Sequence, residues 1–290
     1  MVPIRRKESS VDHSGYVRAG AEELADFLAA RTAAVITGAG LSTDSGIPDY
    51  RSPGAPIRTP MTWDAFQASA ERRRRYWSGA ALGWPRFDRF APNPGHFALA
   101  DLESVGRISG IATQNVDGLH QRAGSQRVIE LHGHLRTVRC LDCGTEVSRQ
   151  DIVTRILADN PDLASLAQTA TENPDGDAQV DEAVVANFVI PTCAVCGGML
   201  APNVVMFGQF VRPEDSRAAE HLVNESDSIL VVGSSLAVNT AVRLLHRAHR
   251  QGKPIAMVNR GATPLDHLAA FRVDAGISEV LAGAAKLLAA

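Results

Sequence analysis

Cys140-x-x-Cys143 and Cys193-x-x-Cys196 hold all four cysteines of this 290-residue chain. Two such knuckles can place four thiolates in a tetrahedron, the closed arrangement that structural zinc prefers and that leaves no position open for chemistry. Disulfides are the rival use of the same residues. A chain of this length buries a large core without staples, and its first residues do not read as a secretory leader. One structural zinc ion is therefore expected. Forty-nine residues separate the pairs, against the roughly 15–20 of a compact zinc ribbon, so the metal should close a small subdomain and not merely a loop.

A second chemistry is suggested by Gly38-Ala39-Gly40, which directly follows the apolar tract at residues 33–37. Glycines after a strand let a dinucleotide pyrophosphate approach backbone amides. The fingerprint is incomplete, because Thr43 stands where GxGxxG has its third glycine and no strand-ending acid follows about 20 residues on. The chain instead continues through Leu41, Ser42, Thr43, Asp44, Ser45 and Gly46 to Tyr50 and Arg51. This is a plausible cover over phosphates and ribose, or equally a surface loop.

Thr113-Gln114-Asn115-Val116-Asp117-Gly118-Leu119-His120 brings two amides and a carboxylate to a strand end. They can grip a carboxamide or orient a water, and they can also simply cap the next helix. In Glu130-Leu131-His132-Gly133-His134, Gly133 permits a turn that aims an imidazole into a cleft. An imidazole is the natural general base near neutrality. Spacing alone does not separate His132 from His134.

The elements that position these groups are legible from periodicity. Residues 21–30 put Leu24, Phe27 and Leu28 on one helical face. Apolar runs at residues 33–37, 108–113, 228–232 and 254–258 read as buried strands, three of them ending in Thr113-Gln114-Asn115, Gly233-Ser234-Ser235 and Asn259-Arg260-Gly261. Strands alternating with helical patterns imply an α/β fold, a Rossmann-like parallel sheet with helices on both faces, and ligands at the strands' carboxyl ends. The three polar tips should share one edge. Residues 17–134 and 203–290 are assigned to the sheet domain, 135–202 to an inserted zinc-binding subdomain, and 1–16 to a disordered tail. The Ile152, Val153, Ile156, Leu157 stripe is read as packing, the acidic run at 171–182 as a solvated loop, and Arg72 to Arg75 as a basic helix face.

A net charge of −3, with Lys7, Lys253 and Lys286 the only lysines, argues against nucleic-acid binding. No stretch approaches the roughly 20 apolar residues of a membrane span. The chain is read as cytoplasmic, acting on neither nucleic acid nor membrane.

Taken in order, GAGLSTDSGIPDYRS (residues 38–52), TQNVDGLH (113–120), ELHG (130–133), PNVVMFG (202–208), VVGSSLAV (231–238) and VNRG (258–261) resemble the sirtuins, NAD-dependent protein deacylases. The resemblance covers roughly residues 21–281. Arg75-Tyr76-Trp77, Gly83-Trp84-Pro85, Asn93-Pro94-Gly95-His96 and Asn173-Pro174-Asp175-Gly176-Asp177 resemble the class II branch, which has bacterial and mitochondrial members.

The resemblance implies that NAD is consumed as a co-substrate while acyl-lysine proteins lose their acyl group to ADP-ribose. It places Gly38, Ala39 and Gly40 near the phosphates, counts Ser42 and Asp44 among the NAD contacts, and sets Tyr50 and Arg51 over the nicotinamide ribose. Gln114, Asn115, Val116 and Asp117 would line the nicotinamide pocket, with Asp117 on the carboxamide and Asn115 and Asp117 assisting catalysis. Gly233, Ser234 and Ser235 would hold phosphate or ribose. Asn259, Arg260, Gly261 and Ile277 would meet the adenosine end, and His132 would be the base. The target peptide would lie as an added strand between Val204, Val205, Met206, Phe207, Gly208 and Leu236, Ala237, Val238. Met206, Gln209, Thr240 and Ile277 depart from the usual family residues. ADP-ribosyl transfer to protein is the close alternative. An NAD-binding zinc-ribbon adaptor and a zinc dehydrogenase are the readings from other classes.

Overall fold

The structure is a computed structural model that describes residues 13–49, 60–164, 177, 178, 180 and 182–289. Its strands are β1 (Ala33–Thr37), β2 (Ile108–Thr113), β3 (Val128–Glu130), β4 (Gly133–Cys140), β5 (Glu146–Ser148), β6 (Leu200–Val204), β7 (Ser228–Val232), β8 (Ile255–Val258) and β9 (Phe271–Val273). The helices are α1 (His13–Ala29), α2 (Trp63–Ala68), α3 (Ala70–Phe87), α4 (Pro94–Ser104), α5 (Leu119–Arg122), α6 (Arg149–Asp159), α7 (Pro161–Ala164), α8 (Glu182–Ala186), α9 (Pro213–Glu225), α10 (Asn239–Arg250) and α11 (Ile277–Ala289).

Six strands form a parallel sheet in the order β3-β2-β1-β7-β8-β9. The apolar character of β1 from Ala33 to Ile36 has a simple cause. Ala33 and Val35 pack with Leu24 and Leu28 of α1, Leu99 of α4 and Leu281 of α11, whereas Ala34 and Ile36 pack with Leu222 of α9 and Leu245 of α10. A strand covered on both faces has no polar side to show. Each fully buried Val or Ile stabilises the sheet by roughly 1.5–3 kcal/mol.

Helix α1 begins at His13, inside the expected tail. Its apolar stripe reaches one turn further than residues 21–30, because Val17 also packs on the core beneath Ala21 and Leu24. Residues 1–12 lie outside the described residues, as does most of the acidic run and of the Asn173 to Asp177 motif.

The second lobe corrects the assigned boundaries. Strands β5-β4-β6 form a small antiparallel sheet, and β4 begins at Gly133 while β6 runs to Val204. More importantly, Phe66 of α2 and Trp77, Ala80, Trp84 and Phe87 of α3 share one core with Leu135, Val138, Ile152, Ile156 and Leu200. The lobe is thus made from two stretches of chain, not from an insertion at 135–202 alone. Arg149 locks them together: fully buried at the start of α6, its guanidinium lies 5.4 Å from the Trp84 ring and 5.9 Å from that of Tyr76. The basic run also finds a structural use, since Arg73 donates to the Phe66 and Gln67 carbonyls at the end of α2.

Candidate active site and four-thiolate centre

Register aligns Thr37 with Thr113 and with Val232, and Val232 with Val258, so the three polar tips leave the sheet at one edge. The glycines there do something other than expected. The Gly38 N–H donates to the Val232 carbonyl at 3.1 Å and the Gly40 N–H to the Gly233 carbonyl at 2.8 Å, so neither is presented to a phosphate. Among the described residues, Ala39 alone of the three has an N–H without a protein partner. What the glycines permit is a close crossing of two backbones. A Cβ on Gly40 would stand 2.8 Å from the Gly233 oxygen, and one on Gly233, at φ 59°, would stand 2.3 Å from the Leu41 nitrogen.

Behind this crossing Ser42, Asn115 and Asp117 converge. Ser42 Oγ donates to Asp117 Oδ2 at 2.7 Å and accepts from Asn115 Nδ2 at 3.1 Å, while Asn115 Nδ2 also donates to the Gly38 carbonyl at 3.1 Å. Asp117 Oδ1 accepts from the Leu119 N–H at 2.9 Å. The helix-capping role weighed from the sequence is therefore real for Asp117, and each of its oxygens can still accept a further donor. Burial pushes the Asp117 carboxyl up, against hydrogen bonds from Leu119 and Ser42 that pull it down. Val116 ties this loop to the smaller lobe, its carbonyl accepting from the Leu135 N–H at 3.0 Å.

Gly133, at φ 68°, separates the two histidines of the HGH turn. His134 faces Glu130 at 4.0 Å. His132 turns the other way: its Nδ1 lies 3.0 Å from the Gln114 carbonyl and its Nε2 3.4 Å from the Thr240 hydroxyl. A carbonyl only accepts, so Nδ1 carries the proton and Nε2 the lone pair. Burial lowers the His132 pKa, partly offset by the Gln114 carbonyl. Gln114 is itself held by Ser234 Oγ, 2.9 Å from its Oε1.

The remaining candidates are placed less uniformly. Asp44 is exposed and accepts from Ser278 at 2.6 Å, away from the Ser42 cluster. Tyr50 and Arg51 lie outside the described residues. Ser235 follows Ser234 on the loop after β7, half-buried. Asn259 spends its amide on the Arg260 and Gly261 carbonyls of its own turn, the Gly261 N–H is held by Asp274, and Arg260 is exposed. Ile277 is buried in the sheet core at the start of α11. On the peptide side, the Val205 N–H donates to the His132 carbonyl at 2.8 Å and Val204 pairs with Gly133. Gln209 Oε1 accepts from the Met206 N–H, Phe207 and Gly208 are exposed, and Ala237 and Val238 lie exposed beyond the buried Leu236.

One buried group escaped sequence reasoning. His96 and His120 are almost fully buried with ring centroids 5.1 Å apart, His96 capping α4 with Asn93 and His120 bonding Thr37 Oγ1 at 2.9 Å. Asn93 in turn holds the Leu41 carbonyl at 2.7 Å, so the pair supports the loop above it. Burial lowers His96 to about 4, and burial together with His96 lowers His120 well below the ordinary value. An unfolded histidine takes up its proton below about 6.5, so the unfolded chain binds more protons as the pH falls towards about 4. Stability is then full above about pH 6.5 and declines below it, by up to ~1.4 kcal/mol per pH unit for each histidine. Urea midpoints at pH 7.5 and 5.0 should differ accordingly. Equal midpoints would mean that the pair is not held neutral.

The four cysteine sulfurs lie within 4.8 Å of one another, Cys140 and Cys196 at 3.5 Å and Cys143 and Cys193 at 3.7 Å, with no disulfide among them. Zn–S bonds of about 2.3 Å place tetrahedral sulfurs ~3.8 Å apart, so the set fits zinc. Two matched turns build it, Gly144 and Gly197 both at φ 75° and donating back to the Cys140 and Cys193 carbonyls. Thr145 lowers Cys143 to about 6, whereas Cys196, despite a favourable Gly198 amide, is pushed up to about 12 by Cys143 and Cys140.

A parallel sheet edge shaped for a dinucleotide, a buried imidazole beside it and a neighbouring four-thiol lobe define an NAD-using α/β class with a structural metal. The Sir2 family model matches residues 38–240, and the chain belongs to the Sir2 family. It is 47% identical over 268 residues to NAD-dependent protein deacetylase 1 of Mycobacterium avium, covering 91% of this chain and 94% of that one. It is 43% identical over 252 residues to the mitochondrial NAD-dependent protein lipoamidase sirtuin-4 of Bos taurus, covering 85% and 79%. A solved Sir2 structure with a p53 peptide and NAD+ matches with TM-score 0.71 at 31% identity, covering 90% of this chain and 95% of that one. Another, with deacetylated p53 peptide and 3'-O-acetyl ADP ribose, matches with TM-score 0.74 at 30% identity, covering 92% and 97%.

Proposed function

We propose that this protein is an NAD-dependent protein-lysine deacylase that releases nicotinamide from NAD and transfers the acyl group of an acyl-lysine to ADP-ribose, consuming one water after nicotinamide has left and leaving free lysine and O-acyl-ADP-ribose. The observation that carries the reading is the His132 imidazole, fixed by Gln114 with its lone pair at the sheet edge between the loops after β2 and β7. Cleavage at C1′ develops oxocarbenium character, so the pocket has to exclude water and hold the acyl oxygen in line. Ser42, Asn115 and Asp117 offer the buried polar wall for the carboxamide, and His132 takes a proton from a ribose hydroxyl. Ala39, Gly233, Ser234 and Ser235 are assigned to phosphate and ribose, with Tyr50 and Arg51 as the cover. Asn259, Arg260, Gly261 and Ile277 are assigned to the adenosine side, through backbone and shape more than side-chain amide.

The acyl-lysine segment is assigned to the space between residues 204–208 and 236–238; the Val205 N–H binds the His132 carbonyl on the first side, and the second segment leads into α10, whose Thr240 hydroxyl lies 3.4 Å from the ring. Zinc at Cys140, Cys143, Cys193 and Cys196 braces the lobe and takes no part in turnover. We also read the enzyme as cytoplasmic, where reduced thiols persist as metal ligands. Separately, no helix among the described residues is long and apolar enough to cross a membrane. The test is incubation with NAD and acetyl-, lipoyl- or longer acyl-lysine peptides. Nicotinamide release should require the peptide, and mass spectrometry should show the peptide lighter by its acyl group. Acyl loss without NAD would refute the reading, and a peptide heavier by ADP-ribose would establish the transferase instead.

A further inference from the structure

Helix α10 opens on Val238, an N-cap residue whose side chain accepts no hydrogen bond. A threonine in such a first turn commonly bonds its own backbone. Thr240 instead directs its hydroxyl at His132 Nε2, 3.4 Å away. Since Nδ1 spends its proton on the Gln114 carbonyl, the hydroxyl is the donor and the Nε2 lone pair the acceptor. The ring is thus held at both nitrogens, by the loop after β2 and by the first turn of α10. The loop that leads into α10 is sharply bent. Leu236, at φ 52°, is the one non-glycine residue with positive φ among the described residues, and it is buried. Ser234 Oγ pins that bend, lying 3.3 Å from the Leu236 nitrogen and 2.9 Å from Gln114 Oε1, on the same residue whose carbonyl orients the imidazole.

We propose that Thr240 is a positioning residue for His132, its hydroxyl holding the imidazole in the tautomer and orientation that a general base needs. The inference rests on the reading of His132 as that base. A contact of 3.4 Å is longer than the roughly 2.5–3.2 Å of ordinary hydrogen bonds and is a weak one. It is strong enough to bias a ring between orientations and weak enough to be exchanged for the hydroxyl whose proton the base takes.

Thr240→Val keeps the β-branched shape and removes the donor, and Thr240→Ser keeps the donor. A donor to the neutral ring favours the neutral form, so its loss raises the proton affinity of His132. The acidic limb of kcat/KM for peptide-dependent nicotinamide release should then move to higher pH in the valine variant, by about half a unit for one weak hydrogen bond. The serine variant should return it. The charged or titratable groups on the surrounding elements are Asp117 on the loop after β2, Glu130 on β3, His134, Arg136 and Arg139 on β4, and Arg243, His246, Arg247, His249 and Arg250 on α10, and none is altered. The ring nitrogens of ¹⁵N-histidine-labelled protein, assigned with His132→Ala and recorded without NAD or peptide, supply a readout independent of turnover. Wild type and Thr240→Ser should show His132 protonated at Nδ1, and Thr240→Val a mixture of tautomers with a raised midpoint. A valine variant with the wild-type limb and wild-type ring spectrum overturns the proposal, as does a uniform loss of rate at every pH with the spectrum unchanged. Should the wild type lack peptide-dependent NAD cleavage, the ring spectra still decide the Thr240 contact, and it is the functional reading that falls.

Discussion

His132→Ala should lose peptide-dependent turnover by about 10²–10⁴-fold, the span that general acid–base catalysis by one side chain supplies, while the protein keeps its fold and its zinc. The separation of the two effects follows from where the side chain sits. Its polar partners are one backbone carbonyl, that of Gln114, and one hydroxyl, that of Thr240. Neither holds the sheet together, and the Gln114 backbone remains bound to Thr37 through its own N–H at 3.0 Å. On the role proposed for the imidazole the loss should fall in kcat, since the hydrogen-bonded set of Ser42, Asn115 and Asp117 is left in place. In the unsubstituted enzyme the same residue should set the acid limb. Burial lowers its pKa, so the neutral form that accepts a proton persists below pH 6.5 and the rate falls only at lower pH. Initial rates from pH 5 to 8, with zinc content and melting temperature measured on both proteins, check this. Full turnover in the alanine variant would move the base elsewhere.

How much of this was readable in the residues depended on how local the physics is. The four thiols were legible because a knuckle is a four-residue event whose spacing carries its geometry. The common sheet edge was legible because strands buried on both faces must be apolar throughout, so their polar tips stand out. The glycines were found but their use was not. That Gly38 and Gly40 give their N–H groups to Val232 and Gly233 depends on which strand lies next to β1, and strand order has no signature along the chain. The same limit hid the membership of α2 and α3 in the smaller lobe. Trp77 and Trp84 precede the first cysteine by more than fifty residues, and only the closed core brings them onto Ile152 and Ile156. His134 competed with His132 until the φ 68° turn at Gly133 sent the rings to different sides. Thr240 and the His96–His120 pair left a trace only as residue types, for each acts through a partner remote in sequence.

Cys143→Ser should cost the metal and, with it, the organisation of the smaller lobe. A serine hydroxyl is a far poorer zinc ligand than a thiolate, and three remaining sulfurs leave the closed site open. The turns at Gly144 and Gly197 bring β4 and β6 together through the metal, and the same strands carry Leu135, Val138 and Leu200 into the core shared with α3 and α6. Loss of zinc therefore propagates beyond the knuckles. Structural zinc contributes roughly 10–16 kcal/mol of apparent binding free energy in small metal-folded domains, although here the large aromatic core retains part of the lobe without it. Because β4 starts at Gly133 and Val204 of β6 pairs with that residue, loosening the lobe also releases the backbone on either side of His132. Turnover should fall together with zinc content, and stoichiometric chelation of the unsubstituted protein should reproduce the loss. The six-stranded sheet, which takes nothing from the four sulfurs, should keep its own unfolding transition. Calorimetry with metal analysis distinguishes the outcomes: a zinc-free variant with one unshifted transition and full activity would show that the four thiols brace nothing.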